Sequence, residues 1–105
     1  MNLQEQLSHS KGTIEYICQL IESGNYYMDE LNRQLIEIDE IVDKVLKMSE
    51  KKERISIDET FVLLVLKDII YGIEHKDSVI LLDTLRYGLL KIYDDIEDGL
   101  AGKYE

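Results

Sequence analysis

FVLLVLKDIIYGIEHKDSVILLDTLRYGLL, residues Phe61 to Leu90, is the stretch on which the fold turns. Its apolar density suits buried strands, a membrane segment, or helices buried on more than one side. Spacing separates the three. A half-buried strand alternates apolar and polar residues, but Leu63, Leu64, Val65 and Leu66 are all apolar and Lys67 and Asp68 are both charged. The longest unbroken apolar run, FVLLVL, has six residues, whereas a membrane span needs about twenty. Helical spacing fits. Thr60, Lys67, Tyr71 and Glu74 fall on one narrow outer column, with Leu64 its only aliphatic member. Val62, Leu66, Ile69 and Ile73, with Leu63 and Ile70, make the columns expected to face a core.

The stretch is therefore two helices folded back at Glu74–Asp77. Ser56-Ile57-Asp58-Glu59 has the form of a capping box and predicts a start at Ile57 or Asp58. His75 or Lys76 suits the carbonyl end of that helix, and Asp77 caps the next. The last helix places Leu81, Leu82, Leu85, Leu89, Ile92 and Ile96 inside and Thr84, Tyr87, Lys91, Asp94 and Asp98 outside. Gly72 and Gly88 interrupt these helices at about 1 kcal/mol each relative to Ala, a cost that close approach of a neighbouring helix would explain.

Working towards the N-terminus, Met28, Leu31, Leu35, Ile38, Val42 and Val45 step by three and four along one helical stripe, flanked by Ile41 and Leu46. Ile14, Ile17, Cys18 and Ile21 predict a shorter helix beginning near Ser10 to Thr13, with residues 1–10 a frayed extension because Gly12 weakens continuity. It ends at Ser23-Gly24-Asn25, with Gly24 in the left-handed closing position and Asn25 capping the following helix. MSEKKER, from Met48, reads as a solvated helix end and linker. The expected architecture is all-α: one domain over residues 1–105, an antiparallel four-helix bundle made of two helical hairpins. The hairpins cover about 12–48 and 57–98, with a polar linker at about 49–56.

Composition agrees. Proline is absent and the six glycines are scattered, which disfavours a turn-rich β domain. Residues 1–55 carry seven Lys/Arg against eleven Asp/Glu, and residues 56–105 five against eleven, giving a net charge of −10 spread along the chain. Such a surface repels phosphate backbones and anionic lipid, so neither nucleic acid nor a membrane is expected as a partner. Solubility explains the acidity more simply than DNA mimicry or capture of a basic protein. The single Cys18 excludes an intramolecular disulfide and suits a reducing cytoplasm, and its apolar neighbours make it a core thiol. No signal peptide is expected.

No chemistry assembles from spacing. The Glu-x-x-His pairs of di-iron bundles are missing: Gly72 precedes His75 by three and Gln6 precedes His9 by three. There is no glycine-rich phosphate loop, no Cys-x-x-Cys, and no Arg followed by His at the spacing of helical toxin ribonucleases. The sharpest enzymatic pattern is Glu37-x-x-Glu40 with Glu74-x-x-Asp77, similar to the Mg²⁺-holding carboxylates of all-α nucleotide pyrophosphohydrolases. Against it, thirty-three residues separate Glu40 from Glu74. Glu74 and Asp77 also flank a turn, and Glu37 and Glu40 lie on a solvated face. Catalytic, cofactor and metal sites are accordingly expected to be absent. Tyr26, Tyr27, Tyr71, Tyr87 and Tyr93 are read as rim residues, ring inward and hydroxyl in water.

Lys76-Asp77-Ser78-Val79-Ile80-Leu81-Leu82-Asp83-Thr84-Leu85-Arg86-Tyr87-Gly88-Leu89-Leu90 resembles a segment, K-D-x-V-x-L-L-x-D-x-L-x-Y-x-L-L, of a family of small uncharacterised all-α bacterial proteins. Glu22-Ser23-Gly24-Asn25 followed by Leu31, Leu35 and Ile38 is similar to their first hairpin. Gly88 and Lys91 depart from the family, where Glu and Pro are usual. The resemblance implies an all-α fold in a bacterial cytoplasm and brings no activity with it. The expected function is protein binding without catalysis, to another protein or as a homodimer, with Leu64, Tyr71, Ile80 and Tyr87 as the exposed partner-binding residues. A small acidic export chaperone of the secretion or flagellar type is the alternative, and a Mg²⁺-dependent nucleotide pyrophosphohydrolase the third.

Overall fold

In a computed structural model, residues 2–50 and 57–102 are described, and they form four helices and no strand. α1 is Leu3–Glu22, α2 is Met28–Glu50 and α3 is Glu59–Glu74. α4 (78–100) is continuous through three segments: α-helical Ser78–Asp83, a π-helical turn Thr84–Leu89, and α-helical Leu90–Leu100. They run up, down, up and down as an antiparallel bundle of 41 × 25 × 20 Å. The all-α, four-helix expectation holds.

α1 starts well before the expected Ser10–Thr13. Asn2 caps it, its Oδ1 accepting from the Glu5 N–H at 2.8 Å while its Nδ2 donates to the Glu5 carboxylate at 2.9 Å. Leu7, Ser10, Ile14, Ile17 and Cys18 form one buried stripe. A serine in that stripe hides its continuity from an apolar count, and Gly12 is tolerated on the exposed side. The first hairpin thus covers Leu3 to Glu50 rather than 12–48.

Both hairpin turns close alike. After α1, Asn25 N–H donates to Leu20 C=O and Gly24 N–H to Ile21 C=O, with Gly24 at φ +74°. After α3, Asp77 N–H donates to Gly72 C=O and Lys76 N–H to Ile73 C=O, with Lys76 at φ +50°. These are paired Schellman closures. Asn25 does not cap α2 as expected: that helix begins three residues later at Met28, and the Asn25 amide donates instead to Ser23 Oγ at 2.7 Å. Asp77 does cap α4, accepting from the N–H groups of Val79 and Ile80 at 3.1 Å each. α3 begins at Glu59, not at the expected Ile57 or Asp58, because Asp58 is its cap, extended in backbone and accepting from the Phe61 N–H at 3.2 Å. The capping box assigned to Ser56, and residues 51–56 of the polar linker, lie outside the described residues.

The core joins Leu7, Ile14, Ile17 and Cys18 of α1 to Leu31, Ile38, Ile41 and Val45 of α2, Val62, Val65 and Ile69 of α3, and Leu81, Leu85, Leu89, Tyr93 and Ile96 of α4. α4 is the central packing element, lying against both α1 and α3, while α1 also packs on α2. Gly72 and Gly88 make its approach to α3 possible. A Cβ on Gly72 would stand 2.7 Å from the Leu81 side chain, and one on Gly88 2.9 Å from Val65 Cγ2. The π turn serves the same packing. Leu81, Leu85, Leu89 and Tyr93, spaced by four, are all fully buried. In a regular α-helix such a column drifts by about 40° per step. One wide turn, closed by Leu90 N–H to Leu85 C=O, takes up part of that drift. α4 then continues past Lys91 to Leu100.

Charges tie α1 to α4 on the surface: Lys11 reaches Asp94 at 2.7 Å and Glu97 at 3.5 Å, and Arg86 pairs with Glu22. Such exposed pairs contribute little to stability.

Candidate functional site

Of the neighbouring helices in the bundle, α2 and α3 are packed sparsely, unlike α1–α2, α3–α4 and α4–α1. Between them lies an open groove of about 370 Å³, lined by Leu35, Ile36, Ile38, Asp39, Leu66, Ile69 and Ile70. Among the described residues Asp39 is its one charged lining residue. Three large aliphatics stand exposed at or beside it: Ile36 at 69%, Leu63 at 62% and Ile70 at 52%.

This corrects the sequence reading of α3, which placed Leu63 and Ile70 on core-facing columns. Val62 and Ile69 of those columns are buried as expected, Leu66 and Ile73 are partly buried, and Val65 and Gly72 complete the covered face. A helix apolar on nearly every side carries no internal mark of which stripe is covered. That is decided by its neighbours, and α2 leaves the stripe through Leu63 and Ile70 open. Ile36 sits outside the α2 stripe by one position, so the apolar repeat does not mark it.

The four residues expected to bind a partner divide. Leu64, Tyr71 and Tyr87 are exposed, and Ile80 is partly buried. Leu64 and Tyr71 stand seven residues apart on α3, as Ile80 and Tyr87 do on α4. None of them lines the groove. The Tyr71 ring stacks on His75 with centroids 3.9 Å apart, and His75 Nδ1 bonds the Tyr71 carbonyl at 2.9 Å.

The acidic candidates fall into unrelated settings. Asp77 uses its carboxylate as the α4 cap, and Glu74 is an exposed residue at the last turn of α3. Glu37 and Glu40 flank a second surface recess of about 490 Å³, on the other side of Ile36, with Gln6, His9 and Arg33. There Glu40 accepts from Gln6 Nε2 at 3.0 Å and Glu37 meets His9 Nδ1 at 3.2 Å. Among the described residues, no three His, Cys, Asp or Glu side chains are grouped to hold a metal ion.

A polar chain that spacing did not disclose runs inward from this recess. Ser10 Oγ donates to Gln34 Oε1 at 3.1 Å, and because its one proton is used there, Tyr93 donates to Ser10 Oγ at 2.9 Å. Gln34 Nε2 continues to Glu37 at 3.4 Å. The chain joins α4, α1 and α2 in one layer. Tyr93 is therefore a fully buried core residue, not a rim tyrosine, and burial pushes its hydroxyl up to about 12. Every buried side-chain polar atom in the described residues has a partner. A satisfied chain of this kind fixes which layers of a bundle meet. Cys18 is buried as expected, its thiol pushed up by desolvation and so poorly suited to act as a nucleophile.

No helix among the described residues is long and apolar enough to cross a membrane. Compared with known proteins, the chain matches no family model, no curated protein and no solved structure.

Proposed function

We propose that this chain is a protein-interaction module, acting without a catalytic step of its own, and that its binding face is the open α2–α3 edge. One observation carries this reading: Ile36 and Ile70, aliphatic and more than half exposed, line a groove whose one charged lining residue among those described is Asp39. Leu63, also more than half exposed, lies one heptad before Ile70 on the same stripe of α3. A four-helix bundle with a closed α2–α3 seam would bury these side chains. Leaving a contiguous apolar strip in water is costly, and such strips mark sites where another surface is received. The site differs from the one read from sequence on Leu64, Tyr71, Ile80 and Tyr87, although the class of function is the same. The buried, unbridged Cys18 suits a reducing cytoplasm as the place of action.

The test is affinity capture from the native cell with three baits: the unaltered chain, Ile36→Asp with Ile70→Asp, and Tyr87→Ser. A protein retained by the first and third baits and lost from the second supports the reading. Retention by the groove variant, with loss from Tyr87→Ser, moves the site to the α4 column. Light scattering on the same proteins separates a homodimer from a second protein.

A further inference from the structure

The groove also carries information about its occupant, if it is the binding face proposed above. We infer that it takes one amphipathic helix of another protein, with large aliphatic side chains at i, i+3 or i+4, and i+7, and Lys or Arg flanking that stripe.

Shape selects a helix. On α3 the apolar positions Leu63, Leu66 and Ile70 extend over seven residues, or about 10 Å. On the antiparallel α2 they face Leu35, Ile36 and Ile38 across the groove. A depression between two helices, two turns long and apolar, matches the anchor spacing of a docked helix. An extended segment fits less well. No strand edge exists among the described residues, so its backbone N–H and C=O groups would be covered without partners. A helix brings its own backbone bonds.

Charge selects the flanks. Asp39 lies in the groove, whereas Glu40 turns to the Gln6 side of α2 and takes no part. On α3, Glu59 stands one heptad before Leu66 and Glu74 one turn after Ile70, both exposed. Among described neighbouring cations, Arg33 is paired with Glu30 and Lys47 with Asp43, leaving Lys67 beside Leu63 and Ile70. Among the described residues, Asp39, Glu59 and Glu74 thus outnumber Lys67 around the strip, on a chain of net charge −10. A second copy docked face to face would oppose like charges around the same strip. A basic-flanked helix meets opposite charges there and is steered towards them.

The experiment uses the full chain, isotope-labelled at isoleucine methyls, and three synthetic 18-residue peptides. The first has a Leu/Ile stripe flanked by Lys and Arg; the second replaces every Lys and Arg with Glu; the third scrambles the first so that the stripe is lost. The first peptide is expected to shift the Ile36 and Ile70 methyls and to bind at least tenfold tighter than either other peptide, weakening as salt is raised. Asp39→Lys, an exposed change that leaves the core alone, should narrow the preference for the basic over the acidic peptide at least threefold. Equal binding of the basic and acidic peptides at the groove overturns the charge assignment, and equal binding of the scrambled peptide overturns the helix. A concentration-dependent dimer abolished by Ile70→Asp replaces the partner with a second copy. If no peptide perturbs the groove, this inference falls. The binding face proposed above falls separately, when the groove variant still captures the same protein from the cell.

Discussion

Tyr93 on α4 donates its hydroxyl to Ser10 on α1 at 2.9 Å, across 83 residues of chain, with both residues fully buried. Ser10 in turn donates its hydroxyl to Gln34 Oε1, so the serine is the shared link between three helices. Tyr93→Phe removes one donor and leaves Ser10 still bonded to Gln34. Ser10→Ala strands two buried polar atoms. The expected destabilisations are about 1 kcal/mol for Tyr93→Phe and about 2–3 kcal/mol for Ser10→Ala, measured by urea unfolding.

The same hydroxyl predicts a response to alkali. Its pKa is raised by burial from the ordinary value near 10 to about 12 in the folded chain. The protonated form is favoured on folding, so this stabilisation is complete below pH 10 and is lost as pH rises through 12. A shift of that size corresponds to roughly 2–3 kcal/mol. Tyr27, pushed up by burial and by the nearby charge of Asp77, acts in the same direction. Unfolding free energy measured from pH 8 to 12 should fall more steeply for the unaltered chain than for Tyr93→Phe. Parallel curves would show that Tyr93 ionises without unfolding the bundle.

Three helical glycines should respond differently to alanine. Gly12 has nothing within 4 Å of a new Cβ, so Gly12→Ala gains helix propensity and raises stability by up to about 1 kcal/mol. At Gly72 the new carbon would lie 2.7 Å from Leu81, and at Gly88 2.9 Å from Val65. Overpacking there outweighs propensity, for a net loss of about 1–2 kcal/mol each. Val65→Ala should cost less in the Gly88→Ala background than alone, a coupling that a double-mutant cycle measures.

The α3–α4 turn offers a stabilising change. Lys76 holds φ at +50°, a conformation in which a side chain is disfavoured and glycine is not. Lys76→Gly should raise thermal stability by the equivalent of about 1 kcal/mol. Asp77→Ala, which removes acceptors for Val79 and Ile80 N–H, should lower it by about 1 kcal/mol. An unchanged melting temperature for both would mean that the turn forms independently of these residues.

Particular residues explain what the sequence disclosed and what it hid. The α2 stripe, the Gly24 closure and the Asp77 cap follow from local chemistry that acts within a few residues. They were legible because no distant neighbour has to be known. Ser10, Gln6 and Gln34 were missed because a buried polar residue is recognisable only by its partner, and those partners lie 24 to 83 residues away. The groove was missed for a related reason. Which side of an almost wholly apolar helix is covered depends on how closely α2 approaches, and no periodicity inside α3 encodes that.

Adjacent isoleucines on α3 put that point to experiment. Ile69 is 1% exposed within the core, and Ile70 is half exposed over the groove. The two side chains have the same volume and transfer free energy, so any difference between their truncations measures the environment alone. Ile69→Ala removes buried methyl groups and leaves a cavity, for an expected loss of about 2–4 kcal/mol. Ile70→Ala removes atoms that already touch water on one side, and the loss should stay under about 1 kcal/mol. If partner binding uses this edge, the order reverses in a binding assay. There Ile70→Ala weakens affinity severalfold, while Ile69→Ala, once folded, changes it little. Equal destabilisation by the two substitutions in urea would mean that α2 closes over α3 in solution, and the groove would then not exist as a free surface.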